Sequence, residues 1–255
     1  MAEGPNFVIG GVCDDMQLKA STEEAFELSK DFTAAKASFD RSFTAGKDAH
    51  DNYKCYTVYL PYAVNIAKAG GEFFTCGEYN AATGTINMTK VEAPNLEANT
   101  AYIYKPATTG TMSPMTSVKV VKPTAAAAAP ENASEATGLH GVYEYHQWTS
   151  EPTNVYCFAA GDKDDIKAGQ FVKVGSGTHI KPFRAYLRIN VPAGGSAPEY
   201  VAVDWGNGTT SIVPLDKTQV SQDADGWYTI TGFRLPAKPT EKGIYIHNNK
   251  KTIVK

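Results

Sequence analysis

Tyr53-Lys54-Cys55-Tyr56-Thr57-Val58-Tyr59-Leu60, stopped by Pro61, is the stretch that decides the fold class. Tyr53, Cys55, Thr57 and Tyr59 alternate with Lys54, Tyr56, Val58 and Leu60. A period of two belongs to an extended strand, whose successive side chains point to opposite faces, and β-branched and aromatic residues fit that pleated surface. The same reading recurs over residues 7–12, 35–43, 101–105, 117–121, 141–145, 155–159, 171–174, 183–191, 200–204 and 209–213. Many short strands predict an all-β fold: an antiparallel β-sandwich, one large or two small, with a C-terminal β-hairpin tail.

Turn chemistry agrees. Thr83-Gly84 separates the strand-like runs 73–79 and 85–91, and Gly206-Asn207-Gly208 separates a second pair of hairpin arms. Helical periodicity is nearly absent. The one stretch with helix-forming composition is 21–30 (STEEAFELSK), where Ser21 and Glu24 fit a capping box and predict a helix of about two turns.

With 255 residues, 42% hydrophobic and 20% charged, the chain can bury a core without disulfides or metals. A formal net charge of −3 argues against a general nucleic-acid binder. No apolar run reaches the ~18–20 residues of a membrane-spanning helix, so no transmembrane segment is expected. The opening MAEGPNFVIGG lacks a basic stretch followed by a long apolar one; the expectation is a cytosolic protein or one whose signal peptide has been removed.

Composition divides the chain into a first β-rich half (1–122), an Ala/Pro/Ser-rich linker (123–138), a second β-rich half (139–215), a connector (216–225) and a basic tail (226–255). The tail carries a local charge of +5, which leaves −8 on everything before it. Within it, Ile244-Tyr245-Ile246 and 251–254 read as hairpin arms around Asn248-Asn249.

Catalytic signals are weak. Cys13, Cys55, Cys76 and Cys157 form no CxxC pair, and His50, His140, His146, His179 and His247 fall at no metal-ligand spacing, so no metal or cofactor is expected. Gly175-Ser176-Gly177 is a turn rather than a nucleophile elbow. Ser221, Asp223, Asp225 and Gly226 mimic a calcium loop whose twelfth position is Gly232 instead of Glu. The acidic groups Asp14-Asp15 and Asp162, Asp164 and Asp165 are the carboxylates a glycoside hydrolase would need, and are more often a solvated surface. The best binding signal is aromatic: Tyr145 and Trp148 in YEYHQW, and Trp205 beside a Gly-Asn-Gly turn, since exposed rings stack on sugars and anchor interfaces.

From Asp225 onward, DGWYTITGFRLPAKPTEKGIYIHNNKKTIVK resembles the short C-terminal tail of many surface and secreted proteins of Bacteroidota. Trp227-Tyr228, Gly232 with Arg234, Pro239, Gly243-Ile244-Tyr245-Ile246 and Lys250-Lys251 carry the likeness, which is to a shortened type IX secretion sorting domain. Segments 35–46, 57–61, 96–106, 180–186 and 209–212 resemble the β-rich modules that accompany such tails. The resemblance implies a secreted or outer-surface location and contact of the tail with secretion machinery. The expected function is that of a non-enzymatic, adhesin-like binding protein for a host or environmental protein or glycan. A carbohydrate-binding module using Tyr145, Trp148 and Trp205, and a glycoside hydrolase using an acidic pair, are the alternatives.

Overall fold

The computed structural model describes residues 8–49, 51–123, 137–161, 166–191, 196–205, 227–229, 234–235, 238–240, 242–247 and 250–254. Two compact units divide the chain, Met1–Val213 and Pro214–Lys255.

The first unit holds β1 (Val12–Leu18), β2 (Phe32–Phe39), β3 (Ser42–Phe43), β4 (Tyr56–Tyr59), β5 (Val64–Asn65), the single-turn α1 (Ile66–Ala69), β6 (Gly71–Asn80) and β7 (Thr85–Lys90). It continues with β8 (Asn95–Leu96), β9 (Ala101–Pro106), β10 (Gly110–Thr111), β11 (Met115–Val120), β12 (Gly138–Val142) and β13 (His146–Gln147). β14 (Val155–Phe158), β15 (Phe171–Lys173), β16 (His179–Ile180), β17 (Arg184–Arg188) and β18 (Tyr200–Asp204) complete it. The fold is all-β.

Nine strands form one sheet in the order β12-β17-β14-β15-β18-β7-β6-β9-β4. It curls until its ends approach. Tyr59 N on β4 donates to Phe183 O just ahead of β17 (3.2 Å), and Ala185 N on β17 donates to Thr57 Oγ1 (3.1 Å). Gly141 on β12 lies so close to the Tyr59 ring that a Cβ there would stand 2.1 Å from it, which only glycine permits. The sheet is thus nearly closed into a barrel, with Ile86, Ile103, Tyr156, Phe171, Leu187 and Val203 fully buried in one cluster. Strands from both sides of the 123–138 segment share this sheet, because Ala202, Val203 and Asp204 pair with Thr85, Ile86 and Asn87.

A smaller sheet, β1-β2-β11, packs on the β4–β9 side: Met16, Leu18, Phe39 and Met115 share a core with Phe43, Tyr102, Tyr104 and Phe183. Two junctions depart from the expected antiparallel order, since β1 pairs with β2, and β7 with β18, in parallel. Parallel neighbours need a crossover, and residues 19–31 supply the one between β1 and β2.

That crossover overturns the helix expected at 21–30. Phe26 N donates to Tyr143 O (2.8 Å), a bond to a distant strand end in place of one to its own preceding turn. Phe26 and Leu28 are the half-buried pair, two residues apart, which suits extended chain and not the three-to-four spacing of a helix. Glu24 N is taken by Thr22 Oγ1 (3.0 Å), a local turn. The helix that does form, α1, is set by its caps: Asn65 Oδ1 accepts from Lys68 N (3.0 Å), and Gly70 closes it in the left-handed region at φ 74°.

The strand expected at 7–12 is also corrected. Gly10 (φ 61°) and Gly11 (φ 86°) make a two-residue turn in which Ile9 and Val12 exchange backbone bonds of 2.9 and 3.0 Å, so the first long strand begins where the expected one ended. The 73–79 and 85–91 hairpin is present as β6 and β7, with Gly84 at φ 66° in its turn. Residues 209–213 and the Gly206-Asn207-Gly208 turn lie outside the described residues.

In the second unit, β19 (Trp227–Thr229), β20 (Arg234–Leu235), β21 (Gly243–His247) and β22 (Lys250–Val254) form a sheet in the order β20-β19-β21-β22. β21 and β22 pair antiparallel from Gly243 with Val254 to His247 with Lys250, which gives the tail hairpin its arms. Asn248-Asn249 fall outside the described residues.

Candidate functional site

The aromatic residues singled out by sequence do not form one platform. Trp148 is wholly buried among Val142, Val155, Val174, Ile180 and Tyr186. Its backbone explains this: Trp148 N donates to Thr178 O (2.9 Å) and Trp148 O accepts from Gly177 N (2.8 Å), which holds the ring inward with no face left for a sugar. Trp205 is half-buried, edge-on to Phe74 at 4.9 Å, and belongs to the barrel cluster instead. Tyr145 lies elsewhere, near the surface. It is half-buried and stacks on the exposed imidazole of His179 (5.7 Å, 26° between planes), beside the short β13–β16 ladder.

Carboxylates and thiols offer little chemistry. Asp14 is exposed; its neighbour Asp15 is ion-paired with Lys36 at 3.5 Å and accepts from Gln17 Nε2 at 2.8 Å. Asp162, Asp164 and Asp165, and the calcium-like loop from Ser221 to Gly226, lie outside the described residues. All four cysteines are unbridged thiols. Burial pushes the thiols of Cys55 and Cys157 up to about 12, so neither carries thiolate character at neutral pH. Among the described residues no group of three His, Cys, Asp or Glu side chains is placed to hold a metal, and no helix is long and apolar enough to cross a membrane.

A different place has the shape of a binding site. The β1–β2 crossover arches over a cleft of about 600 Å³ walled by Met16, Leu18, Phe26, Leu28, Phe32 and Phe183, with Lys19, Glu24, Glu27 and Lys30 also lining it. Phe26 packs on Tyr143 and Phe183 at 5.4 and 5.3 Å, which fixes the crossover to the core. Val8, Gly10 and Gly11 reach the same cleft. Among the described residues, four large apolar side chains stand well exposed, and three of them, Val8 (41%), Ile9 (79%) and Val12 (46%), sit on this one turn. Next to it, among the described strands, β1 stands at the end of the order β1-β2-β11. A cleft beside exposed apolar side chains marks a contact surface.

Sequence reading passed over this site. The signal was present in Gly10-Gly11, a pair suited to a turn with positive φ at both positions, but not in Val8 or Val12, whose exposure depends on what the fold leaves uncovered.

Comparison of the chain with protein-family models, with curated proteins and with solved structures finds no match.

Proposed function

We propose that this is a secreted or cell-surface, non-enzymatic binding protein, adhesin-like, that recognises a host or environmental macromolecule. The observation that carries the reading is the cleft reached by Val8, Gly10 and Gly11, on the turn that also exposes Ile9 and Val12. Exposed apolar clusters of this kind mark contact surfaces. The occupant that fits is an apolar segment of a partner protein, seating its side chains in the cleft and against the turn. Support for the location comes from the tail, whose Gly243-Ile244-Tyr245-Ile246 and Lys250-Lys251 motifs fall on two paired strands, a hairpin for secretion machinery to engage.

Two experiments test this. Fractionation of the native host should find the protein outside the cell or on its outer surface; a purely cytoplasmic protein contradicts it. The full chain, applied to parallel arrays of purified extracellular proteins and of glycans, should bind a defined protein and be indifferent to soluble sugars.

A second reading has its own observation. The Tyr145–His179 stack offers a planar surface suited to a sugar face. Glycan binding lost in Tyr145→Ala would favour a carbohydrate-binding module. Release of sugar from a polysaccharide, lost in Asp164→Asn, would favour the glycoside hydrolase.

A further inference from the structure

The cleft and the turn that reaches it put a hole and a knob on one surface. The knob is stiff and stands clear of the fold: Ile9 and Val12 exchange two backbone bonds, and a Cβ built on Gly10 or Gly11 would meet nothing within 4 Å. Ile9 beside them is 79% exposed. The hole is equally preformed. Its arch is pinned by Ala20 N donating to Asp40 Oδ1 (2.6 Å), Lys181 Nζ to Ser21 O (3.2 Å), Phe26 N to Tyr143 O (2.8 Å) and Lys122 N to Asp31 Oδ1 (2.8 Å). Two features that exist before binding lose little freedom when they meet.

Charge selects what meets them. Lys19, Lys30, Glu24 and Glu27 all line the cleft and all are exposed. Among the described residues none of the four is in an ion pair. Their charges sum to zero, whereas the chain ahead of the basic tail carries −8 as a whole. Two copies of this body therefore repel each other in general but not at this rim. A two-fold axis lays the rim of one copy over that of the other, and a set with two charges of each sign can then put lysine opposite glutamate in both halves. Such an isologous contact makes every fit twice, the knob of either copy entering the hole of the other.

We infer that the cleft is regulated by self-association: without a partner, two copies close on each other, the Ile9 turn of each seated in the cleft of the other. A partner protein displaces the second copy, so its apparent affinity falls as the chain concentration rises past the dimer's dissociation constant. This regulation rests on the cleft being the partner site, as proposed above. The dimer itself is measured with no partner present.

The test is analytical ultracentrifugation of the full chain from about 1 to 300 µM, the range of weak reversible association. The wild type should pass from monomer to dimer, and Ile9→Asp should weaken that step by about tenfold or more. Lys19→Glu with Lys30→Glu makes the rim wholly acidic, and Glu24→Lys with Glu27→Lys makes it wholly basic. Each double variant should stay monomeric alone, and the two mixed should form a heterodimer. All five side chains are exposed, so melting midpoints should hold; Ile9→Asp carries the test if a rim variant melts lower. A wild type that is monomeric throughout, a dimer undiminished by these substitutions, rim variants that fail to recombine, or a protein ligand that binds the intact dimer would each overturn the inference. A monomeric wild type that still binds a protein ligand removes the dimer and leaves the partner reading; a rim-dependent dimer with no protein ligand removes the partner reading and leaves the dimer.

Discussion

Trp148 is enclosed on every side, yet its indole N–H has no acceptor. Its value is volume: the ring sits edge-on to His146 at 4.8 Å and to Tyr186 at 6.3 Å. Trp148→Ala should therefore destabilise the fold by about 3–5 kcal/mol, while Trp148→Phe, which also removes the orphan donor, should cost below about 1.5 kcal/mol. Denaturant midpoints check both. A residue's exposure is what sequence conveys least. In YEYHQW, the adjoining β13–β16 ladder and the turn at Thr178 decide that Trp148 points inward while Tyr145 stays near the surface. Thr57 and Ala185 lie far apart in the sequence and are bonded only because β4 returns to β17.

Strands marked by short runs of β-branched and aromatic residues were legible even where burial does not alternate, as in β18, where Val201, Ala202 and Val203 are all buried. β9, β14, β15 and β18 fall close to their expected places, and 200–204 coincides with β18. β1 was missed because its buried residues run Cys13, Met16, Leu18, a step of three and then of two. β2 makes the same slip from Ala34 to Ala37, and these positions are partnered, Cys13 with Ala34 and Met16 with Ala37. β11 takes it up opposite, with Met115 on Ala37, Val118 on Ala34 and Ser117 between them at φ 54°. One irregularity thus crosses all three strands at a single level, which keeps one face buried but erases the alternation a sequence pattern relies on.

Charge is managed across strands. Glu72 on β6 meets Lys105 on β9 at 2.6 Å and Lys90 on β7 at 2.8 Å, and those bonds hold its carboxyl below its ordinary value of 4.5. A carboxylate depressed in the folded state stabilises fully above its unfolded pKa, and that contribution is lost as pH falls through the folded one. Stability should accordingly drop on acidification below about pH 4.5. Glu72→Gln, compared by thermal melts from pH 6 downward, should show a shallower decline over that window.

The whole first unit behaves as one body in this account. The parallel pairing of β7 with β18 ties the sheet's two halves, and the return of β4 to β17 ties its ends. Amides of Ile86 and Val203 should therefore exchange with solvent through the same opening event; protection lost in β18 well before β7 would mean two independent halves. Sequence conveyed the all-β class and the distinct basic tail, because composition and alternation are local. The near-closure of the sheet and the parallel β7–β18 junction were not legible, since they join residues more than a hundred positions apart.

The central claim is that this body binds a macromolecule through the β1–β2 cleft and the apolar turn at Val8–Val12. Ile9→Asp with Val12→Asp places charge on exposed side chains, so the thermal midpoint should hardly move. The decisive measurement is the equilibrium affinity of the wild-type chain and this double variant for the protein ligand identified on the array. A loss of about a hundredfold or more, with an unchanged melting profile, is the predicted result. Equal affinity of the two proteins would contradict the account.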